Sequence, residues 1–148
     1  PDKANAMSEP MWYEIEQAME WLDTTPEARV GVLTGRGRYF TSGIDLTMLM
    51  GLGQKIEDDC DGRRREKLRR LILELQDTLS SIERCRKPVL AAVHGACIGG
   101  GMDLITACDM RYCSTNAWLM QSAPKAEAAS RLRSFCFSSC CRFSRACT

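Results

Sequence analysis

Apolar residues at Met11, Ile15, Ala18, Met19 and Leu22 recur at intervals of three and four. That spacing gathers them on one stripe and predicts an amphipathic helix over residues 8 to about 23. Ser8 suits the N-cap, and Glu9 complements the positive end of the helix dipole. A short run rich in β-branched residues at 30–33 then breaks at Thr34-Gly35-Arg36-Gly37, the pattern of a strand closed by a glycine turn. FTSGIDLTMLM at 40–50 predicts a loop leading into a short helix, which Gly51-Leu52-Gly53 is expected to end. Residues 54–67 are dense in charge, and Leu68, Leu71, Ile72, Leu75, Leu79 and Ile82 then mark a long helix with its stripe on a core. Pro88 cannot continue that helix.

VLAAV at 89–93 is an unbroken apolar run of strand length, expected to be buried on both faces of a parallel sheet. HGACIGGG at 94–101 predicts a glycine-rich turn, residues 102–108 a helix opening from it, and residues 110–113 a further short strand. Strands alternating with helices place the chain in the layered α/β class. After about Met120 the periodicity is lost, and residues 121–148 are rich in Ser, Arg, Ala and Cys. Three readings of this stretch stay open: a weak helix over 124–133, a disordered extension, or the product of a shifted reading frame.

A length of 148 residues fits one core rather than two. Apolar residues at 45% and charged residues at 26% are ordinary for a packed domain. Twenty Lys and Arg against nineteen Asp and Glu leave a net charge of +1, so no overall field recruits nucleic acid or a membrane surface. No stretch approaches the roughly 18 uncharged apolar residues that a spanning helix needs. The sequence starts without Met or a signal-like segment, and the natural N-terminus is expected upstream. Cys60, Cys85, Cys97, Cys108 and Cys113 fall in regular segments and are expected to be reduced and mostly buried. Cys136, Cys140, Cys141 and Cys147 crowd the C-terminus, but with His94 the one histidine they fit no zinc spacing, and no metal site is expected.

The strand-to-helix turn carries the first candidate chemistry. Glycines at 99, 100 and 101 permit close approach to the backbone, and the helix start offers unpaired N–H donors at a positive dipole end. Such a turn suits an anion or oxyanion; it also suits tight packing alone. Neither Gly35-Arg36-Gly37 nor the glycine run continues as a dinucleotide or phosphate-loop fingerprint. Asp103 lies one helical turn beyond Gly100, where it serves either as a helix-start charge or as a proton-transfer group. The basic run at 63–70 fits the solvated start of a helix better than a phosphate site, and His94 fits a structural hydrogen-bonding role. Trp12, Trp21 and Trp118 are well separated and fit core or surface-cap roles.

Several segments, in order, resemble the successive motifs of the crotonase (enoyl-CoA hydratase/isomerase) superfamily: Lys3-Ala4-Asn5-Ala6-Met7, the loop FTSGIDL at 40–46, residues 87–104, and TACDMRY at 106–112. The resemblance spans residues 1 to about 119, leaving 120–148 as a divergent tail. It implies the N-terminal portion of a crotonase-like fold, a spiral of ββα units. It further implies an oxyanion hole made by the backbone N–H groups of Ile44 and Gly100. Ser42, Gly43, Asp45 and Leu46 would line the acyl-CoA loop, and Ala4 would lie near the adenine end of CoA. The run at 94–113, with aspartate at 103 where hydratases carry glutamate, is most similar to the Δ3,5-Δ2,4-dienoyl-CoA isomerases, as is Ser81-Ile82-Glu83-Arg84-Cys85.

By that resemblance Asp103 is the catalytic acid–base at one end of a dienoyl-CoA. The partner is an acyl-CoA thioester, no cofactor is needed beyond the CoA of the substrate, and the setting is fatty-acid β-oxidation in mitochondria or peroxisomes. The family assembles into trimers or hexamers. The positions of its downstream acids are held here by Ala123 and Arg131, with Glu127 at a different spacing. Two other readings therefore stand beside isomerisation: an enoyl-CoA hydratase, disfavoured by aspartate at 103, and an inactive acyl-CoA-binding fragment.

Overall fold

The structure, a computed structural model, describes residues 3–121. The expectations for the stretch from 122 onward, including the cysteine cluster and positions 123, 127 and 131, lie outside the described residues. The first helix, α1 (Glu9–Thr24), follows Ser8 in extended conformation, with Pro10 in its first turn. Its core-facing residues are Trp12, Ile15 and Leu22. Ala18 is exposed and Trp12 is buried: the buried stripe is rotated toward the larger apolar surface, which gains more from burial. Strand β1 (Gly31–Thr34) sits one residue later than the expected strand.

Helix α2 (Leu46–Lys55) runs through Gly51 and Gly53 rather than stopping there. A Cβ at either glycine would meet no atom, so each costs only about 1 kcal/mol of propensity. Buried Met48, half-buried Leu52, the Asp45 carboxylate capping the Thr47 N–H at 2.8 Å, and a Lys55–Glu9 ion pair offset that cost. Helix α3 (Asp61–Arg84) packs against α1, but only Thr78 and Ile82 are buried. Leu68 and Ile72, expected on the core, are 41% and 44% exposed. The stripe is laid out as the period predicts, and the described residues do not cover its N-terminal half.

The basic run is solvated as expected: Arg63 and Lys67 pair with Asp58, Arg64 with Asp61, and Arg69 and Arg70 with Glu66. Of the tryptophans, Trp12 is buried while Trp21 and Trp118 are exposed.

Strand β2 (Val89–Val93) is the centre of a parallel sheet of order β1-β2-β4. Val89, Ala91 and Val93 are buried, while Leu90 and Ala92 are half-buried. One face is therefore fully covered among the described residues, not both. Asp109 ties the start of β2 to the next turn, its carboxylate accepting from Val89 N–H at 2.7 Å while its own N–H donates to Val89 O at 2.9 Å.

The stretch expected to be one long glycine turn contains a further strand, β3 (Ala96–Ile98), before α4 (Gly100–Thr106), which starts two residues earlier than expected. Strand β4 (Met110–Cys113) pairs with β2 from Leu90↔Met110 to Val93↔Cys113. Strand β5 (Trp118–Met120) pairs in parallel with β3. The short second sheet escaped the periodicity because three-residue strands carry no readable alternation; long-range pairing makes them. The cysteines divide more evenly than expected. Cys97 and Cys108 are buried, with thiols pushed up to about 12 and about 11 chiefly by burial, while Cys60 and Cys113 at element ends are exposed.

Candidate functional site

The loop 40–45 is stitched on both sides. Thr41 N–H donates to Ala96 O at 3.0 Å and Ile98 N–H donates to Thr41 O at 3.1 Å, which lays the loop along β3. On its other side, Met7 N–H donates to Gly43 O at 2.8 Å, Asp45 N–H to Met7 O at 3.0 Å, and Ser42 N–H to Ala4 O at 3.0 Å. The N-terminal segment thus acts as a strand-like clamp, with Met7 fully buried beneath the loop.

Ala4 and Asn5 reach this geometry by adopting positive φ. Asn5 supports it with its amide, which donates to the carbonyls of Arg36 and Tyr39 at 2.8 Å each and of Phe40 at 3.2 Å. Sequence reading singled out neither Asn5 nor Thr41 for this work. The one available signal was a polar residue of turn-forming type directly before an apolar pair.

Gly43 has φ +93°, and a Cβ there would lie 2.8 Å from Ile98 O and 3.7 Å from Gly100 N. The loop and the α4 turn are therefore in direct apposition, and only glycine fits between them. On the facing side, a Cβ at Gly100 would come 2.6 Å from Met7 Cε and 2.9 Å from Ile44 Cγ1. Several neighbouring donors around these backbones are spent: Gly43 N–H donates to Thr41 Oγ1 at 3.1 Å, Gly99 N–H to Met120 O at 2.8 Å, and Met102 N–H to Gly99 O at 2.8 Å, while Gly101 N–H, next along the first turn of α4, is open among the described residues. Among the described residues the N–H groups of Ile44 and Gly100 have no hydrogen-bond acceptor. Two unpaired donors, one on each of two apposed backbones with one at a helix start, are an arrangement suited to an oxygen acquiring negative charge.

The expected loop residues gather here. Ser42 is exposed and its hydroxyl donates to Lys3 O at 3.2 Å; Leu46 is exposed at the start of α2. Asp45 is a structural carboxylate. Lys3 Nζ at 2.9 Å, with help from the Thr47 amide, holds it down to about 2.

Asp103 lies on the outward side of α4, whose residues Gly100, Gly101, Met102, Leu104 and Ile105 are all buried. It borders an open cleft of about 750 Å³ between α3 and α4, shared with Leu79, Glu83 and Thr106. Although its side chain reaches solvent, partial desolvation raises its carboxyl above the usual range, the direction that suits a group exchanging protons. Ile44 and Gly100 are not among the residues lining this cleft; α4 connects the two features through one helical turn. His94 Nε2–H donates to Gly37 O at 2.9 Å, the structural role expected of it. Among the described residues no group of three His, Cys, Asp or Glu side chains could hold a metal, and no helix is long and apolar enough to cross a membrane.

Comparison with known proteins gives a consistent result. The family described as Enoyl-CoA hydratase/isomerase matches residues 1–128. The chain is 49% identical over 119 residues to the peroxisomal Delta(3,5)-Delta(2,4)-dienoyl-CoA isomerase of Arabidopsis thaliana, covering 80% of this chain and 43% of that one. It is 45% identical to the mitochondrial enzyme of the same name from Homo sapiens, covering 80% and 36%. Among solved structures it superimposes on an enoyl-CoA hydratase/isomerase from Xanthobacter autotrophicus Py2 with a TM-score of 0.68 at 28% identity, covering 80% and 41%. A Geobacillus kaustophilus HTA426 enoyl-CoA hydratase subunit gives a TM-score of 0.62 at 34% identity, again covering 80% and 41%. The chain thus spans less than half the length of these relatives.

Proposed function

The chain belongs to the enoyl-CoA hydratase/isomerase family, and from that premise we propose that it binds an acyl-CoA thioester and isomerises a 3,5-dienoyl-CoA to the 2,4-dienoyl-CoA. The observation that carries this reading is the pair of unpaired N–H donors on Ile44 and Gly100, apposed across Gly43. The thioester oxygen accepts from both. Removing a proton from C2 of the 3,5-diene gives a dienolate whose charge collects on that oxygen, and delivering a proton to C6 completes the shift of both double bonds. The donors stabilise the dienolate more than the neutral thioester, which is what lowers the barrier.

Asp103 exchanges the proton at one end of the diene, its raised pKa bringing it closer to the operating range. A second acid–base group serves the other end, so the proton removed at C2 is matched by the one delivered at C6, and the reaction calls for no redox or metal cofactor beyond the CoA of the substrate. Ala4 lies toward the adenine side of the CoA, and Ser42, Gly43, Asp45 and Leu46 line the loop it crosses. Peroxisomal and mitochondrial relatives support a place in fatty-acid β-oxidation.

The test is the longer-wavelength ultraviolet absorbance gained when the diene of a 3,5-dienoyl-CoA comes into conjugation with its thioester carbonyl, run on this chain and on Asp103→Asn. Conjugation that vanishes in the variant supports isomerisation, and equal rates in both remove Asp103 from the mechanism. A second reading, acyl-CoA binding without turnover, is favoured by Ala123 and Arg131 at the positions where the resemblance places downstream acids. Saturable binding of an acyl-CoA with no conjugation would select it.

A further inference from the structure

We propose that Thr41 is a positioning residue for the oxyanion pair, its hydroxyl fixing the direction in which the Ile44 N–H points. The inference rests on the acyl-CoA reading above and extends it to a side chain that touches no substrate. Thr41 is 2% exposed and is one of two buried polar residues described in the chain. A threonine hydroxyl has one proton to give and lone pairs to accept with, and here both are used. It donates to Asn5 O at 2.7 Å and accepts from Gly43 N–H at 3.1 Å.

The consequence follows from peptide geometry. In a planar trans peptide the N–H of Ile44 points opposite to the carbonyl of Gly43, and that carbonyl is held by Met7 N–H at 2.8 Å. The remaining freedom is rotation about Gly43 itself, a glycine at φ +93° with no side chain to limit it. The bond from Gly43 N–H to Thr41 Oγ1 removes that freedom. The same residue reaches the other donor: its backbone brackets β3 through Ala96 and Ile98, and its Cγ2 would stand 2.3 Å from a Cβ at Gly101, beside Gly100. Thr41 therefore registers one half of the donor pair against the other.

The test reads polarisation of the bound carbonyl, with no need for turnover. 2,4-Hexadienoyl-CoA is a chromophore whose absorbance moves to longer wavelength when hydrogen bonds draw charge onto its thioester oxygen. The parent chain is expected to show that shift on binding. Thr41→Val, which keeps the methyl branch and loses the oxygen, loses most of the shift while Kd rises by no more than about tenfold, the weight of one neutral hydrogen bond. Thr41→Ser restores the shift. If Thr41→Val fails to fold by circular dichroism, Thr41→Ala removes the same oxygen without added bulk and carries the same expectation.

A full shift in Thr41→Val or Thr41→Ala overturns the positioning role and leaves the acyl-CoA reading intact. So does a loss in Thr41→Ser as large as in Thr41→Val, since packing alone would then explain it. Binding without any shift in the parent chain overturns the oxyanion reading and this inference with it.

Discussion

The two halves of the proposed site are built differently. The donor half, Ile44 and Gly100, is made of backbone held by at least four long-range hydrogen bonds and by glycines packed too closely for any side chain. The acid half, Asp103, is one side chain on a short helix bordering an open cleft, with α3 as the opposite wall. Hydrogen-bond donors at fixed backbone positions need no further partner to be aimed. A carboxylate, by contrast, takes its pKa and its reach from whatever surrounds it. Both proposed donors lie within residues 3–121, while Asp103 faces α3 across a cleft that is open to solvent.

The sharpest way to separate the halves is Asp103→Asn. If chemistry depends on this carboxyl, the isomerisation rate falls by about 10²–10⁴-fold, while the absorbance shift of bound 2,4-hexadienoyl-CoA is retained. Stability should move the other way. A folded pKa raised above the unfolded value means that stability is lost as pH rises from the unfolded value through the folded value, and the penalty is fully present above it. At neutral pH the variant therefore melts at the same temperature or slightly higher, and a clear fall in Tm would contradict this account of its environment.

Gly43→Ala strikes the donor half. The added methyl sits at φ +93° and 2.8 Å from Ile98 O, so stability falls by about 2–3 kcal/mol and the carbonyl shift disappears, as read by thermal melting and absorbance. A variant that melts like the parent would show that the apposition is loose. A smaller effect comes from the Lys3–Asp45 pair that latches the N-terminal clamp to the loop. Asp45 is lowered from 3.8 to about 2 in the fold, so its contribution is present above pH about 4 and is lost as pH falls toward about 2. Asp45→Asn should flatten that part of the Tm-versus-pH curve; an unchanged slope would assign the acid transition elsewhere.

Least of all should change with Arg65→Ala, which lies outside both halves in the solvated basic run: stability within about 0.5 kcal/mol and unaltered acyl-CoA affinity. A marked loss of affinity would turn that run into a phosphate contact.

The elements with a long period or a firm stop were legible in the chain. Strand 89–93 falls where its apolar run predicts and strand 110–113 where a further strand is expected, and α1 differs only in which apolar residues it buries. The readings that failed were local rules overridden by packing. Gly51 and Gly53 do not end α2 because nothing crowds them and the helix is fastened elsewhere. Residues 96–98 form a strand because β5 and Thr41 offer it partners. The segments that meet at the proposed site were readable as motifs, but the hydrogen-bonding roles of Asn5 and Thr41 within them were not, since those contacts span more than thirty residues of chain.

By itself the sequence determined the α/β class, the order of the main elements, the family, and the identity of the loop and turn that meet at the site, because periodicity and motif spacing are local properties. The tertiary structure decided which donors stay unpaired and which carboxylate is structural. Asp45 and Asp103 are alike as letters, yet a lysine and an amide hold one ionised while the wall of a cleft pushes the other toward protonation. Hydrogen-bond satisfaction and desolvation depend on which distant residues are brought together, and only the folded chain fixes that.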